Sequence, residues 1–313
     1  MPLTTNTHEI NQKVSNIVNR IDGKVGIYAH HSKGLLTYGL NENESFPLAS
    51  LDKIPIALKV LSQVKNKQLT LDQYIDILPS DLRPGTGILS KRLSLPGVAL
   101  SLANLIRLLL EMSDNTASDI LLRLAGGPDA VTQFLSEIGA IRTRIGRSCL
   151  QSFAKDAGIA NLPYDAICTP ELYERIQAFG ALGTLDESKK DFSDLHENDL
   201  DTTTPLGFTK CLLHIYDATL LGSELSRFML DSMAQCQTGR ARMMALLPPN
   251  TKVAHKTGTL SRATNDAGLI TLPEKDAYLF LSVLIKDSSA PLAEKESIIA
   301  EVAQLLFKYA TQN

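Results

Sequence analysis

The chain has 313 residues, 44% hydrophobic and 21% charged, with a formal net charge of −3. That balance suits a globular protein with a large core in one or two domains. It leaves no basic footprint for nucleic acid, and no apolar run approaches the length that spans a bilayer.

Ile10, Val14, Ile17 and Val18 recur at helical spacing within 6–21, and Gly23 stops that helix. Val25 and Ile27 alternate in 24–30, and 34–40 follows as the partner strand of a hairpin. A helix is expected from Ser50. Apolar spacing of three and four then predicts helices over 102–112, 116–124, 128–138 and 205–220. Pro128 and Pro205 fit first-turn positions. Another helix begins near Ser223. The stretch 147–201 is the least regular. Three strands are expected at 252–259, 265–271 and 277–286, and a last helix at 292–309. Strands at both ends with helices between them predict an α/β (α+β) fold, an antiparallel sheet built from both chain ends and flanked by helices, with a mostly helical subdomain inserted. The expected division is 1–50 with 206–313 for the sheet, and 51–205 for the helical part, including an enlarged loop region at 147–201.

Cys149, Cys168, Cys211 and Cys236 are widely spaced and form no C-x-x-C pair. This argues against a zinc site, a redox dithiol or a disulfide framework. His30, His31, His196, His214 and His255 show no ligand spacing, so neither a metal nor a cofactor is expected. Residues 1–12 are polar and lack an apolar signal region. As it stands the chain suits the cytoplasm; a periplasmic or secreted location implies that a signal peptide has been removed.

Three short motifs carry the chemistry. Ser-x-x-Lys alone is weak, because the chain matches it at Ser50/Lys53, Ser62/Lys65 and Ser152/Lys155. Ser50 opens an apolar helical stretch, which puts its hydroxyl near the positive end of a helix. Lys53 lies one turn later on the same face and is placed to act as its base. Taken singly, Ser50 reads as an ordinary N-cap. Ser62/Lys65 falls on a solvated face and Ser152/Lys155 in the irregular segment, and both read as accidental. Ser113-Asp114-Asn115 sits at a helix–loop–helix junction, where a hydroxyl and an amide can enter a cleft. Lys256-Thr257-Gly258-Thr259 ends a strand. Gly258 lets a ligand approach the backbone, and the lysine and hydroxyls suit a carboxylate. The amides of Ser50 and Thr259 would form an oxyanion hole.

In this order the three motifs are the established signature of class A β-lactamases and penicillin-binding proteins, and the chain resembles the class A β-lactamase family over most of its length. The likeness extends to 112–118, 125–128, 201–205 and 237–242. The resemblance implies a serine hydrolase that opens β-lactam rings through an acyl-enzyme on Ser50. Lys53 is then the proton acceptor, Ser113 the proton shuttle and Asn115 the orienter. Lys256, Thr257, Gly258 and Thr259 would bind the substrate carboxylate, with Arg242, or secondarily Arg262, helping to hold it. The family also carries a loop glutamate, in a Glu-x-x-Leu-Asn pattern, that activates the deacylating water. That pattern is missing here: read forward from 143–147, the expected position holds Cys149, and read back from Asp201 at the family's spacing it falls on Ser188, beside Glu187. The segment up to Asp201 is longer than the family's by roughly 40 residues and is expected to contain an additional helix at 170–179. Glu171, Glu174 and Glu187 are the candidates for a displaced base, each also readable as a surface carboxylate. Two alternatives stay open: a D-alanyl-D-alanine peptidase or esterase with the same serine chemistry, and a non-hydrolytic penicillin-binding receptor. In every case the expected partner is a small molecule, and the expected state is a monomer.

Overall fold

A computed structural model describes residues 4–183 and 200–312. Nine strands occur among them: β1 (Lys24–His31), β2 (Thr37–Leu40), β3 (Phe46–Pro47), β4 (Tyr74–Ile77), β5 (Val98–Ser101), β6 (Thr202–Thr203), β7 (Val253–Thr259), β8 (Thr264–Thr271) and β9 (Tyr278–Lys286). The main sheet has the order β2-β1-β9-β8-β7, and its neighbours are all antiparallel. The β1–β9 pairing, from Lys24 opposite Lys286 to His31 opposite Leu279, joins the two ends of the chain.

β8 and β9 are buried along nearly their whole length, as expected for strands covered on both faces. Helices Thr4–Val18 and Leu292–Thr311 cover one face, through Ile10, Val14, Ile298, Val302 and Leu306. Helices Pro205–Tyr216 and Ser223–Ala234 cover the other, through Phe208, Leu212 and Met229. Helix Lys53–Lys65 belongs to that second core and is buried on nearly every side, the mark of a central helix. Helices Leu102–Glu111, Asn115–Leu124 and Pro128–Glu137 pack in the same cluster. No helix among the described residues is long and apolar enough to cross a membrane.

The expected elements recur with small shifts, and four differences have physical causes. Ser50 does not start an α-helix. It sits in a 3₁₀ turn, Ala49–Asp52, and the α-helix begins at Lys53. Pro55 has no N–H to bond the carbonyl four residues back, so an α-turn there would lack a hydrogen bond. The helix expected to reach 220 stops at Tyr216, and Ala218 turns left-handed at φ +57°. Helix Cys149–Asp156 was not anticipated. Its signal was a capping box: Ser148 Oγ accepts from the Gln151 amide at 3.2 Å and Gln151 Oε1 accepts from the Ser148 amide at 2.8 Å. The β4–β5 hairpin was also missed, because β4 is mostly exposed and carries no clean alternation.

Candidate active site

Ser50 lies between the sheet and the helical part. Asn265 on β8 holds the approach to it, donating from Nδ2 to the carbonyls of Pro47 at 2.7 Å and Leu48 at 3.2 Å. Ala49 takes φ +47°, a conformation that costs an L-residue roughly 1–2 kcal/mol and persists because its surroundings fix it. Lys53 Nζ is 3.0 Å from Ser50 Oγ and 3.1 Å from Asn115 Oδ1. The lysine side chain is 1% exposed, so its contacts are with protein and not bulk water.

Ser113 reaches the same place from the opposite side. It sits at φ +57° between two helices. Asp114 fixes the junction, accepting from the amides of Ile88 at 2.7 Å, Leu89 at 2.9 Å and Ala117 at 3.0 Å. A side chain at Gly87 would meet Asp114 Oδ2 at 2.2 Å, so only glycine fits there. Lys256 Nζ donates to Ser113 Oγ at 3.0 Å and to the Thr257 carbonyl at 2.9 Å. Burial, reinforced by the charge of Lys53, pulls the Lys256 ammonium down to about 7. Gly258 makes the assembly possible, since a Cβ there would meet the Leu48 carbonyl at 2.6 Å and the Ser50 amide at 3.3 Å. β7 can pass this close to the nucleophile only without a side chain.

Thr257 Oγ1 and Thr238 Oγ1 are 2.6 Å apart. Arg242 is buried behind them. Its Nη2 donates to Thr259 Oγ1 at 2.7 Å and its Nη1 to the carbonyls of Gly258 and Asn265 at 3.1 and 3.0 Å, while Nε meets Glu296 at 3.0 Å. Its donors grip the end of the β7 strand, in place of the bidentate carboxylate contact expected from sequence. Arg262, the second candidate, donates from Nη2 to the Asp287 carbonyl at 2.9 Å.

Five side chains from three separate stretches of sequence, with hydrogen-bonded links from Ser50 through Lys53 to Asn115 and from Lys256 to Ser113, form a serine acyl-transfer constellation. A family model for the Beta-lactamase enzyme family matches residues 9–310. The chain belongs to the β-lactamase family. VEB-1 β-lactamase of Pseudomonas aeruginosa is 29% identical over 311 residues, covering 97% of this chain and 91% of the relative. A β-lactamase of Bacteroides uniformis is 27% identical over 313 residues, with 95% and 92% covered. Among solved structures, a β-lactamase from Chitinophaga pinensis has a TM-score of 0.76 at 28% identity and covers 97% of this chain and 100% of its own. TLA-1 extended-spectrum β-lactamase has a TM-score of 0.75 at 26% identity, with 97% and 98% covered. The chain is thus a class A β-lactamase-like serine hydrolase.

Against the β-lactamase pattern, the loop is where this member differs. A cavity of about 240 Å³ opens beside Ser50 and Lys53, and Asn115, Cys149, Ser152 and Phe153 are among its lining residues. Cys149, one of the two positions expected from sequence for the family's glutamate, points its Sγ toward Asn115 Oδ1 at 3.8 Å. Burial pushes its thiol far above the ordinary range, so at neutral pH it is an uncharged S–H and no base. Ser152 lines the cavity, although its Ser-x-x-Lys match read as accidental, and Lys155 does not. Asp119, missed in the sequence, anchors this wall: it accepts from the amides of Cys149 at 2.7 Å and Leu150 at 3.0 Å and from Arg83 Nε at 2.7 Å. Arg147 and Asp201 close the neck of the loop through an ion pair, with the Gly146 amide donating to Asp201 at 2.9 Å. Glu171 and Glu174 are exposed on helix Pro170–Gly183 and do not line the cavity. Among the described residues, neither is placed beside Ser50. Glu187, Ser188 and His196 lie outside the described residues.

His255 forms a buried pair with a carboxylate. It faces away from Lys256 and binds Asp266 Oδ1 through Nδ1 at 2.8 Å, both side chains being buried. Burial alone would lower its pKa, but Asp266 and Cys236 raise it to about 10. The effect on Cys236 is reciprocal: burial pushes its thiol up, yet the His255 hydrogen bond and charge bring it down to about 7. Cys236 therefore labels with iodoacetamide at pH 7 about tenfold faster than Cys149 or Cys211. A time course read by peptide mass spectrometry checks this, and equal rates at all three would contradict it.

Proposed function

We propose that this protein hydrolyses β-lactams through an acyl-enzyme on Ser50. Lys53 Nζ, 3.0 Å from Ser50 Oγ and 3.1 Å from Asn115 Oδ1, is the observation that carries the reading. Ser50 Oγ bonds to the lactam carbonyl carbon as its proton passes to Lys53. The ring C–N bond then breaks, and the proton that Lys53 received passes by way of Ser113 Oγ to the leaving nitrogen. The amides of Ser50 and Thr259 hold the oxyanion. Lys256 and the hydroxyls of Thr257 and Thr259 hold the substrate carboxylate, whose charge favours the ammonium form of Lys256. Gly258 permits the approach, and Arg242 acts on the substrate through Thr259, which it aligns. In this reading the site lies between a sheet subdomain, 1–50 with 206–313, and a helical subdomain, 51–205. The enzyme works as a monomer without metal or cofactor, in the periplasm or outside the cell if a signal peptide has been removed, and otherwise in the cytoplasm.

The uncharged thiol of Cys149 favours a second reading, in which Ser50 is acylated and freed only slowly. The protein would then be a penicillin-binding receptor, or a peptidase or esterase acting on D-alanyl substrates. Intact-protein mass spectrometry after mixing with benzylpenicillin, alongside turnover of a chromogenic cephalosporin, separates the two. A transient adduct on Ser50 with steady turnover is expected. A stoichiometric burst followed by a persistent adduct selects the second reading.

A further inference from the structure

Freeing Ser50 from an ester requires a group that accepts a proton from water, and the cavity wall carries a thiol at one of the two positions expected for the family's carboxylate. Asp52 stands two residues after the nucleophile and lines the same cavity. It ends the 3₁₀ turn with helical backbone, φ −51° and ψ −26°, and its side chain makes no hydrogen bond to the helix that follows. Its Oδ1 is buried and has no hydrogen-bond partner, and Lys53 Nζ lies 4.0 Å from it. A buried oxygen left in this way calls for a functional explanation. The groups that bear on it come from every side: Lys53 on its own turn, Asp201 at the loop neck, Lys256 on β7, Asp119 on helix Asn115–Leu124 and Cys149 in the cavity wall. Arg147, which also lines the cavity, is engaged by Asp201.

We propose that Asp52 is the base that deacylates Ser50, in place of the family's loop glutamate. This rests on the acyl-enzyme reading above. Asp52 takes a proton from a water molecule as the water oxygen bonds to the ester carbonyl carbon. The bond from that carbon to Ser50 Oγ then breaks, and Oγ regains a proton that returns from Asp52 by way of Lys53. The products are a carboxylic acid and the serine hydroxyl, and the enzyme ends in its starting protonation state. Burial raises the Asp52 carboxyl to about 6. It is then largely ionised at neutral pH and more basic than an exposed aspartate.

The test is Asp52→Asn in the full chain, mixed with benzylpenicillin and followed by rapid-quench intact-mass measurement. The adduct is expected to form within a few-fold of the wild-type rate and then to persist, with deacylation slowed on the order of 10²-fold or more. Wild-type deacylation should rise as pH increases through about 6, because the ionised form is the base. Deacylation of Asp52→Asn at the wild-type rate overturns the proposal. So does a variant that loses acylation and deacylation together, since Asp52 would then merely hold Lys53. A wild-type deacylation rate that is flat between about pH 5 and pH 7 also overturns it, whatever the variant does. A wild-type protein that never gains an adduct on Ser50 defeats the acyl-enzyme reading instead.

Discussion

Ser50→Ala is expected to abolish turnover of a chromogenic cephalosporin, with kcat/KM falling on the order of 10⁴-fold or more. The change removes one oxygen and leaves the 3₁₀ turn, the Asn265 contacts and the buried Lys53 in place. The melting temperature should therefore move little, and no covalent adduct should appear in the intact mass. Loss on this scale is specific to a nucleophile, because the groups around it cannot open the ring by themselves. Residual activity within tenfold of wild type would falsify Ser50 as the attacking group. An adduct mapped to Ser152 or Cys149, which line the same cavity, would redirect the assignment.

Asp119→Ala is expected to cost about 3–5 kcal/mol of stability. The substitution strands Arg83, whose side chain is 2% exposed and whose Nε is 2.7 Å from Asp119. It also leaves the amides of Cys149 and Leu150 without an acceptor at the start of a helix. The carbonyls of Ser80 and Leu82, at 2.9 and 3.3 Å from Arg83 Nη1, cannot replace a counter-ion. A fall of roughly 10 °C in the thermal midpoint, read by circular dichroism, should follow. Asp119→Asn keeps one acceptor oxygen and should lose less. A shift of only about 1–2 °C for the alanine variant would show that the pair does not hold this wall.

Much of the site was legible in the chain because its motifs are local. Ser50 and Lys53 are one helical turn apart, and Ser113 to Asn115 form a junction. Lys256 to Thr259 end a strand whose pattern is visible in the sequence. Several supporting residues left no such trace. Asn265 is a polar residue within an apolar strand, and only the β7–β8 register, with Gly258 opposite Asn265, shows that it faces the chain before Ser50. Arg242 looked like a carboxylate clamp because its place in the sequence matches one. Packing gives its donors to Thr259, Gly258, Asn265 and Glu296 instead.

The sequence by itself determined the nucleophile's neighbourhood, the order of the longer helices and of the strands of the main sheet, and the absence of the Glu-x-x-Leu-Asn pattern. These rest on periodicity and on spacings of a few residues, which backbone geometry translates directly into proximity. Only the tertiary structure decided what stands around Ser50 where that glutamate would be. Cys149, Asp119, Asp201 and Asp52 are far apart in the chain or face unpredictable directions. Burial and contact between distant elements, not local pattern, set their partners and protonation.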